Sequence, residues 1–372
     1  MPAALDRRKF ALLASGALAA CRPRKAQRFP GYALVANSGG AAVAVVDLSA
    51  FAVVRHIRLD GGPAALEVDQ RRAAVYALVP QPGSIHEIRL GELAAGRRLR
   101  IAEEAISMRL APSGDRLWLL ARRPPRLVGI DTESLQVIRR IDLAAPPLDF
   151  DLAPNSAQAS VSLGGAGLAL VELAAEARPR LVRPSASCGP LRYRSDGRLL
   201  LVGDPIERLL AVLEAGEGRT VVKLPLGLAP AHFCFKDDGG QLFISGPGMD
   251  AVVTVYPYRT EVGSTTLAGR APGFLAVSTD PDYLFVANPA TNDVTVLDIE
   301  TQRVVAVVTV GKEPGFITVT PDNEYALVLN RASGDMAVIR IATLAGRRRR
   351  FAPLFTLIPV GSRPVAAVVT EL

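Results

Sequence analysis

Six charged residues and one histidine occupy matched points of a sequence that keeps returning to the same pattern: Glu67, Arg109, Asp149, Asp151, Arg192, Arg194 and His232. A guanidinium presents a planar fork of donors that fits a carboxylate or phosphate. Arg109, Arg192 and Arg194 therefore make a candidate site for an anionic ligand. The same stretch alternates in sign, because Glu67, Asp149 and Asp151 interleave with the arginines. That pattern also suits a solvated ring of ion pairs, such as Glu67 with Arg109 and Asp151 with Arg192, since charges on an inner strand are costly unless paired or wet. Catalytic chemistry finds no support. There is no Ser-His-Asp spacing, glycine-rich phosphate loop, metal-type ligand cluster, CxxC or CxxCH. The sequence names no catalytic residue, metal or cofactor.

These residues owe their positions to a repeat. "YLFVANPATNDVTVLDIETQRVV" at 283 matches "YALVANSGGAAVAVVDLSAFAVV" at 32, "YALVLNRASGDMAVIRI" at 325 and "QLFISGPGMDAVVTVYPY" at 241. Weaker copies start at 74, 116, 158 and 199, so the spacing stays at 41 or 42 residues throughout. Each unit reads as four short strands, here called a to d from the inside outward. Turns such as "APSGD", "RSDG", "KDDGG" and "TPDN" join a to b. A period in the forties with four strands per unit predicts an all-β fold, a β-propeller of four-stranded antiparallel blades. Residues 31–372 accommodate eight such units, and a seven-bladed ring is the alternative count. The region begins on a b strand and ends on an a strand, Val365 to Thr370. The C-terminal strand should therefore complete the first blade and close the ring as a single domain.

Along each a strand, counted from its Pro or equivalent, positions +3 and +5 are mostly apolar, whereas +2 and +4 vary. Side chains alternate across the pleat, so +2 and +4 share one side. Five consecutive units carry Glu67, Arg109, Asp149, Asp151, Arg192, Arg194 and His232 there, and the rest carry Phe274, Phe316 and small apolar residues. The expectation is a polar arc and an apolar arc around a central channel, suited to a ligand with an anionic end and an apolar body. The acid that ends strand c recurs as Asp47, Asp131, Glu172, Glu214 and Asp298, which fits a turn-capping role better than catalysis.

"YLFVANPATNDVTVLDIETQRVVAVVTVGKEPGFITVTPDNEYALVLN" resembles the YVTN family of β-propeller repeats. The likeness is strong for the copies at 241, 283 and 325, good at 32, and decays in the middle copies. It implies a secreted or surface protein without established catalysis. Related propellers include lactonases, the dehydrogenase subunits of amine oxidation and the d-type-haem domain of nitrite reductase. Of His56, His86 and His232, only His232 belongs to an inner strand, so only His232 could serve a haem.

"LDRRKFALLASGALAAC" gives the cellular address. A basic stretch, Arg7 to Lys9, precedes an apolar segment too short to cross a bilayer, and small residues then precede Cys21. This resembles a bacterial lipoprotein signal peptide at 1–21, with Cys21 as the lipid attachment point, followed by a basic tether at 22–30. The implied location is the bacterial cell envelope, facing periplasm or exterior, with the membrane as partner through the lipid anchor. Cys188 and Cys234 are offset within their units, and two free thiols are expected. The net charge of +7 is spread over separated arginines with few aromatics nearby, which argues against nucleic acid. The remaining partner is an unknown protein or small anionic ligand, met by a non-enzymatic scaffold, with a propeller enzyme or cofactor-binding protein of the lactonase or d-type-haem kind as the alternative reading.

Overall fold

The computed structural model describes residues 29–344 and 352–371. Its architecture is an eight-bladed β-propeller: eight four-stranded antiparallel sheets, each in the order a-b-c-d. Blade I takes Gly31–Asn37, Ala42–Asp47 and Ala52–Arg58 from the start of the chain, and its inner strand, Pro364–Glu371, from the end. The two ends pair in register from Gly31 opposite Glu371 to Ala36 opposite Ala366. Blades II to VIII follow in chain order. Their inner strands are Ala65–Asp69, Glu104–Leu110, Asp149–Leu152, Leu191–Tyr193, His232–Phe235, Leu275–Val277 and Pro314–Val319. The signal segment, Cys21, residues 22–28 of the tether and the Arg347–Arg350 run lie outside the described residues. The expected tether ends earlier than residue 30, because Phe29 is buried in the core shared by blades I and VIII.

The b and c strands are Val-, Leu- and Ala-rich and buried on both faces, as in Tyr325–Asn330 and Ala42–Asp47. Their side chains pack from blade to blade. Val35 and Val46 of blade I meet Leu327 and Val338 of blade VIII, and Leu34 and Val45 meet Val75 and Ile88 of blade II. Each such buried side chain contributes about 1.5–3 kcal/mol. The chain's apolar residues are thus spent between blades, and no helix among the described residues is long and apolar enough to cross a membrane.

Two small devices recur. Asp47, Asp131 and Asp298 accept the N–H groups of Ser49, Ser134 and Thr301 at 2.7 Å, which holds the c-to-d turns. Glu172 and Glu214 instead take Gln158 and Arg219. The Asn that ends strand b packs against the Gly after strand d of the preceding blade. A Cβ on Gly269 would sit 2.2 Å from the Asn288 side chain, and Gly269 has a φ of +97°, so glycine is required twice over.

Seven outer d strands carry a register shift against strand c, as at Val54, Ile138, Val221 and Phe355. A bulge twists an exposed edge and discourages strand addition. Blade IV differs: its outer strand, Arg180–Val182, has only three residues and no shift.

Candidate functional site

The inner strands adjoin one another around the ring, and each leaves one edge without a strand partner. The N–H groups on that edge need acceptors. Acids of the preceding blade supply them. Asp149 Oδ2 accepts from Leu191 N at 3.3 Å and Asp151 Oδ2 from Tyr193 N at 2.9 Å, both across the boundary between blades IV and V. The Glu67 carboxylate does the same for Leu110 of blade III.

The arginines are also engaged. Arg109 Nε lies 3.3 Å from Asp151 Oδ1 and donates to Phe150 O at 3.0 Å. Arg192 Nη1 lies 2.7 Å from Asp149 Oδ2. The pairing therefore differs from the simplest expectation: Arg192 takes Asp149, and Asp151 goes to Arg109. Arg194 leaves the arc altogether. It is buried, forks onto Asp196 at 2.6 and 2.9 Å, donates to Pro257 O at 3.2 Å, and stacks 4.5 Å from the Tyr258 ring centroid. Its reach down to two neighbouring turns follows from its long side chain, which parity along the strand does not constrain. Glu67, Arg109, Asp151, Arg192 and Asp149 thus form one connected ion network along blades II to V, an open arc of the expected ion ring, with Arg109 and Arg192 half-buried.

Burial leaves a mark on this network. Desolvation pushes the Glu67 carboxyl up to about 7, against the pull of Arg109 and the Leu110 N–H. Asp151 is also raised by burial, although Arg109 and Arg192 oppose it.

His232 belongs to a different neighbourhood. Its ring lies 4.3 Å from that of Phe274, which lies 6.0 Å from Phe316. These three occupy position +2 of blades VI, VII and VIII, so they form one aromatic arc, and Phe274 is 37% exposed. Arg331, on the b-to-c turn of blade VIII, completes the group. Its side chain lies across Gly315, where a Cβ would come within 3.3 Å of it, and it pairs with Glu313 at 2.6 Å. Burial lowers the His232 pKa, and the nearby Arg331 charge lowers it further. The imidazole is thus neutral at pH 7 and able to accept a hydrogen bond or ligate a metal. A cleft of about 650 Å³ opens beside His232, walled by Gly246, Met249, Asp250 and Pro272. Sequence reasoning missed Arg331 because it stands outside the a strand. The available signal was "NRASG", where the copies at 32 and 283 place Ser38 or Pro289 after the Asn.

Among the described residues, two further sets of reactive groups lack a catalytic arrangement. Ser84, His86 and Asp60 meet, a contact that their spacing does not announce. His86 Nε2 faces both Asp60 at 2.5 Å and Ser84 at 3.4 Å, whereas a relay needs the two on opposite ring nitrogens. Ser84 is also fully buried. Cys188 and Cys234 are free thiols, and burial raises them to about 11 and about 12, far from thiolate reactivity. Among the described residues no group of three His, Cys, Asp or Glu is placed to hold a metal ion.

No protein-family profile and no curated protein sequence matches the chain. Solved structures do. The dihydro-heme d1 dehydrogenase NirN in complex with DHE aligns with a TM-score of 0.77 at 17% identity, over 91% of this chain and 75% of that one. Apo AztD from Citrobacter koseri aligns with a TM-score of 0.68 at 12% identity, over 91% and 97%. The β-propeller domain of Myceliophteria thermophila Cps50 (Swd1) aligns with a TM-score of 0.62 at 13% identity, over 75% and 97%. What is shared is the fold.

Proposed function

We propose that this chain is an exported, lipid-anchored binding propeller of the YVTN type. In this reading it holds an anionic small molecule with a flat, apolar body at one mouth of its channel and performs no chemistry of its own. One observation carries the reading: a neutral, half-buried imidazole stacked in an aromatic arc, with a guanidinium beside it and an open cleft next to it. Aromatic faces suit a conjugated ring, and Arg331 would share its guanidinium between Glu313 and the ligand's carboxylate. The ion network supports the opposite wall and is not the ligand's counter-charge.

The likeness to a structure named for dihydro-heme d1 makes a tetrapyrrole the first ligand class to test. The residues fit such a group: His232 would face its metal, Phe274 and Phe316 its edge, and Arg331 an acidic substituent. The group would be cargo, bringing its own redox chemistry. Titration with hemin and with metal-free protoporphyrin, followed by absorbance, tests this. Wild-type protein should shift both spectra. His232→Ala should lose the iron-dependent shift while keeping the porphyrin, and Arg331→Ala should weaken both by roughly tenfold or more, the value of a charge-assisted bond. Unchanged spectra, or an unaltered His232→Ala titration, would refute the tetrapyrrole.

The anchor is a separate part of the proposal, supported by the charge, apolar length and small residues before Cys21. Cys21→Ser should move the protein from the membrane pellet to the soluble fraction. Retention in the pellet defeats the anchor and leaves the channel site unaffected.

A further inference from the structure

The blades are near-copies, so the place where one departs from the rest stands out. Outer strands elsewhere have six or seven residues, but that of blade IV has three. Pairing along its c strand runs only from Leu168 to Leu170 and leaves Val171 and Glu172 without an outer neighbour. The missing half-strand opens a groove on the circumference, a cavity of about 820 Å³ between blades III and IV.

One wall of this groove is the outer strand of blade III, Gln136–Asp142. Seven residues of strand extend about 23 Å at roughly 3.3 Å each, the length of a short extended peptide. Two apolar side chains stand open in it, Ile138 at 50% and Leu181 at 43% exposure. Three arginines line it: Arg139, Arg140 and Arg178. Arg139 donates to the Ala175 carbonyl, while Arg140 and Arg178 have no side-chain partner among the described residues. Of the two acids present, Asp142 is held by Arg126 at 2.5 Å, which leaves Glu176 alone against three cations.

We propose that this groove binds an extended, acidic segment of a partner protein. Open apolar side chains between unpaired guanidiniums call for an occupant that alternates apolar and acidic residues. A nucleic acid would want aromatic platforms, and the groove lining has none. The chain's own segments outside the described residues are the wrong occupants by charge, since Arg7 to Lys9 and Arg347 to Arg350 are basic. The site lies on the rim and is independent of the channel mouth.

The probe is a fluorescein-labelled octapeptide alternating Glu with Val or Leu, with a Lys-for-Glu counterpart as control, read by anisotropy on the full chain. The acidic peptide should bind and weaken steeply with salt, and the Lys peptide should not bind. Arg140→Glu with Arg178→Glu should weaken it at least tenfold, with Arg140→Gln as the milder variant if the double one unfolds. Ile138→Ser should weaken it without changing its salt dependence. Equal binding of the two peptides, or an unaffected charge variant, would overturn the proposal. So would sedimentation showing a dimer that the charge variant dissociates, because the occupant would then be a second copy.

Discussion

Removing residues 365–372 abolishes the cooperative unfolding transition of the whole ring. Those residues form most of the inner strand of blade I, and they pair with Tyr32 to Ala36. Their loss strips the ladder partners from a buried strand and uncovers Leu34 and Val35, both fully inaccessible in the closed ring. Ala367 also leaves the cluster that joins blades VIII and I. The combined loss is on the order of 5–10 kcal/mol, comparable with the entire stability of a domain. Circular dichroism melts and limited proteolysis would register it, as a broad transition and as cleavage spread over several blades. A truncated protein that melts within about 5 °C of the full chain would mean that the seam is ornamental.

Glu67→Gln flattens the pH dependence of stability and makes the protein more stable than wild type at pH 8. Burial raises this carboxyl from 4.5 to about 7. The folded state therefore keeps a proton that the unfolded chain has already released. The stability contributed by that proton is fully present below about pH 4.5 and is lost as pH rises through 7. At roughly 1.4 kcal/mol per unit, the change is about 3 kcal/mol. Glutamine keeps an acceptor for the Leu110 N–H and never ionises. Urea midpoints at pH 5 and pH 8 measure the difference between the two proteins, which cancels the slope of the same sign that Asp151 adds. Parallel pH profiles for wild type and variant would show that Glu67 is better solvated than its position implies.

The repeat made the blades legible, because buried b and c strands need uninterrupted apolar runs and their turns need Asp, Pro and Gly. "YLFVAN" and "VTVLDI" leave little choice. Alternation along the a strands also separated the apolar cluster positions, such as Leu66 and Phe150, from the polar ones. What parity leaves open is the partner of a long side chain. Arg192 chose Asp149 over Asp151, and Arg194 turned to Asp196, Pro257 and Tyr258. The acids' main task, satisfying N–H groups of the next blade, follows only once two inner strands lie side by side. Arg331 and the Ser84, His86 and Asp60 meeting depend on loops whose paths no periodicity encodes.

The seam at blade I also sets the timing of folding. Neighbouring blades are tied by contacts about one repeat apart, but Asn37 Nδ2 donates to Val360 O across 323 residues. Loop-closure entropy grows so slowly that this eightfold longer loop costs only about 2 kcal/mol more than a single-blade loop. The expense is in search time: the two ends can meet only after the intervening blades have curved into place, as expected where distant contacts slow folding. Stitching is therefore expected late in assembly. A lock that opens at one point can keep the ring long-lived while the individual blades stay modestly stable.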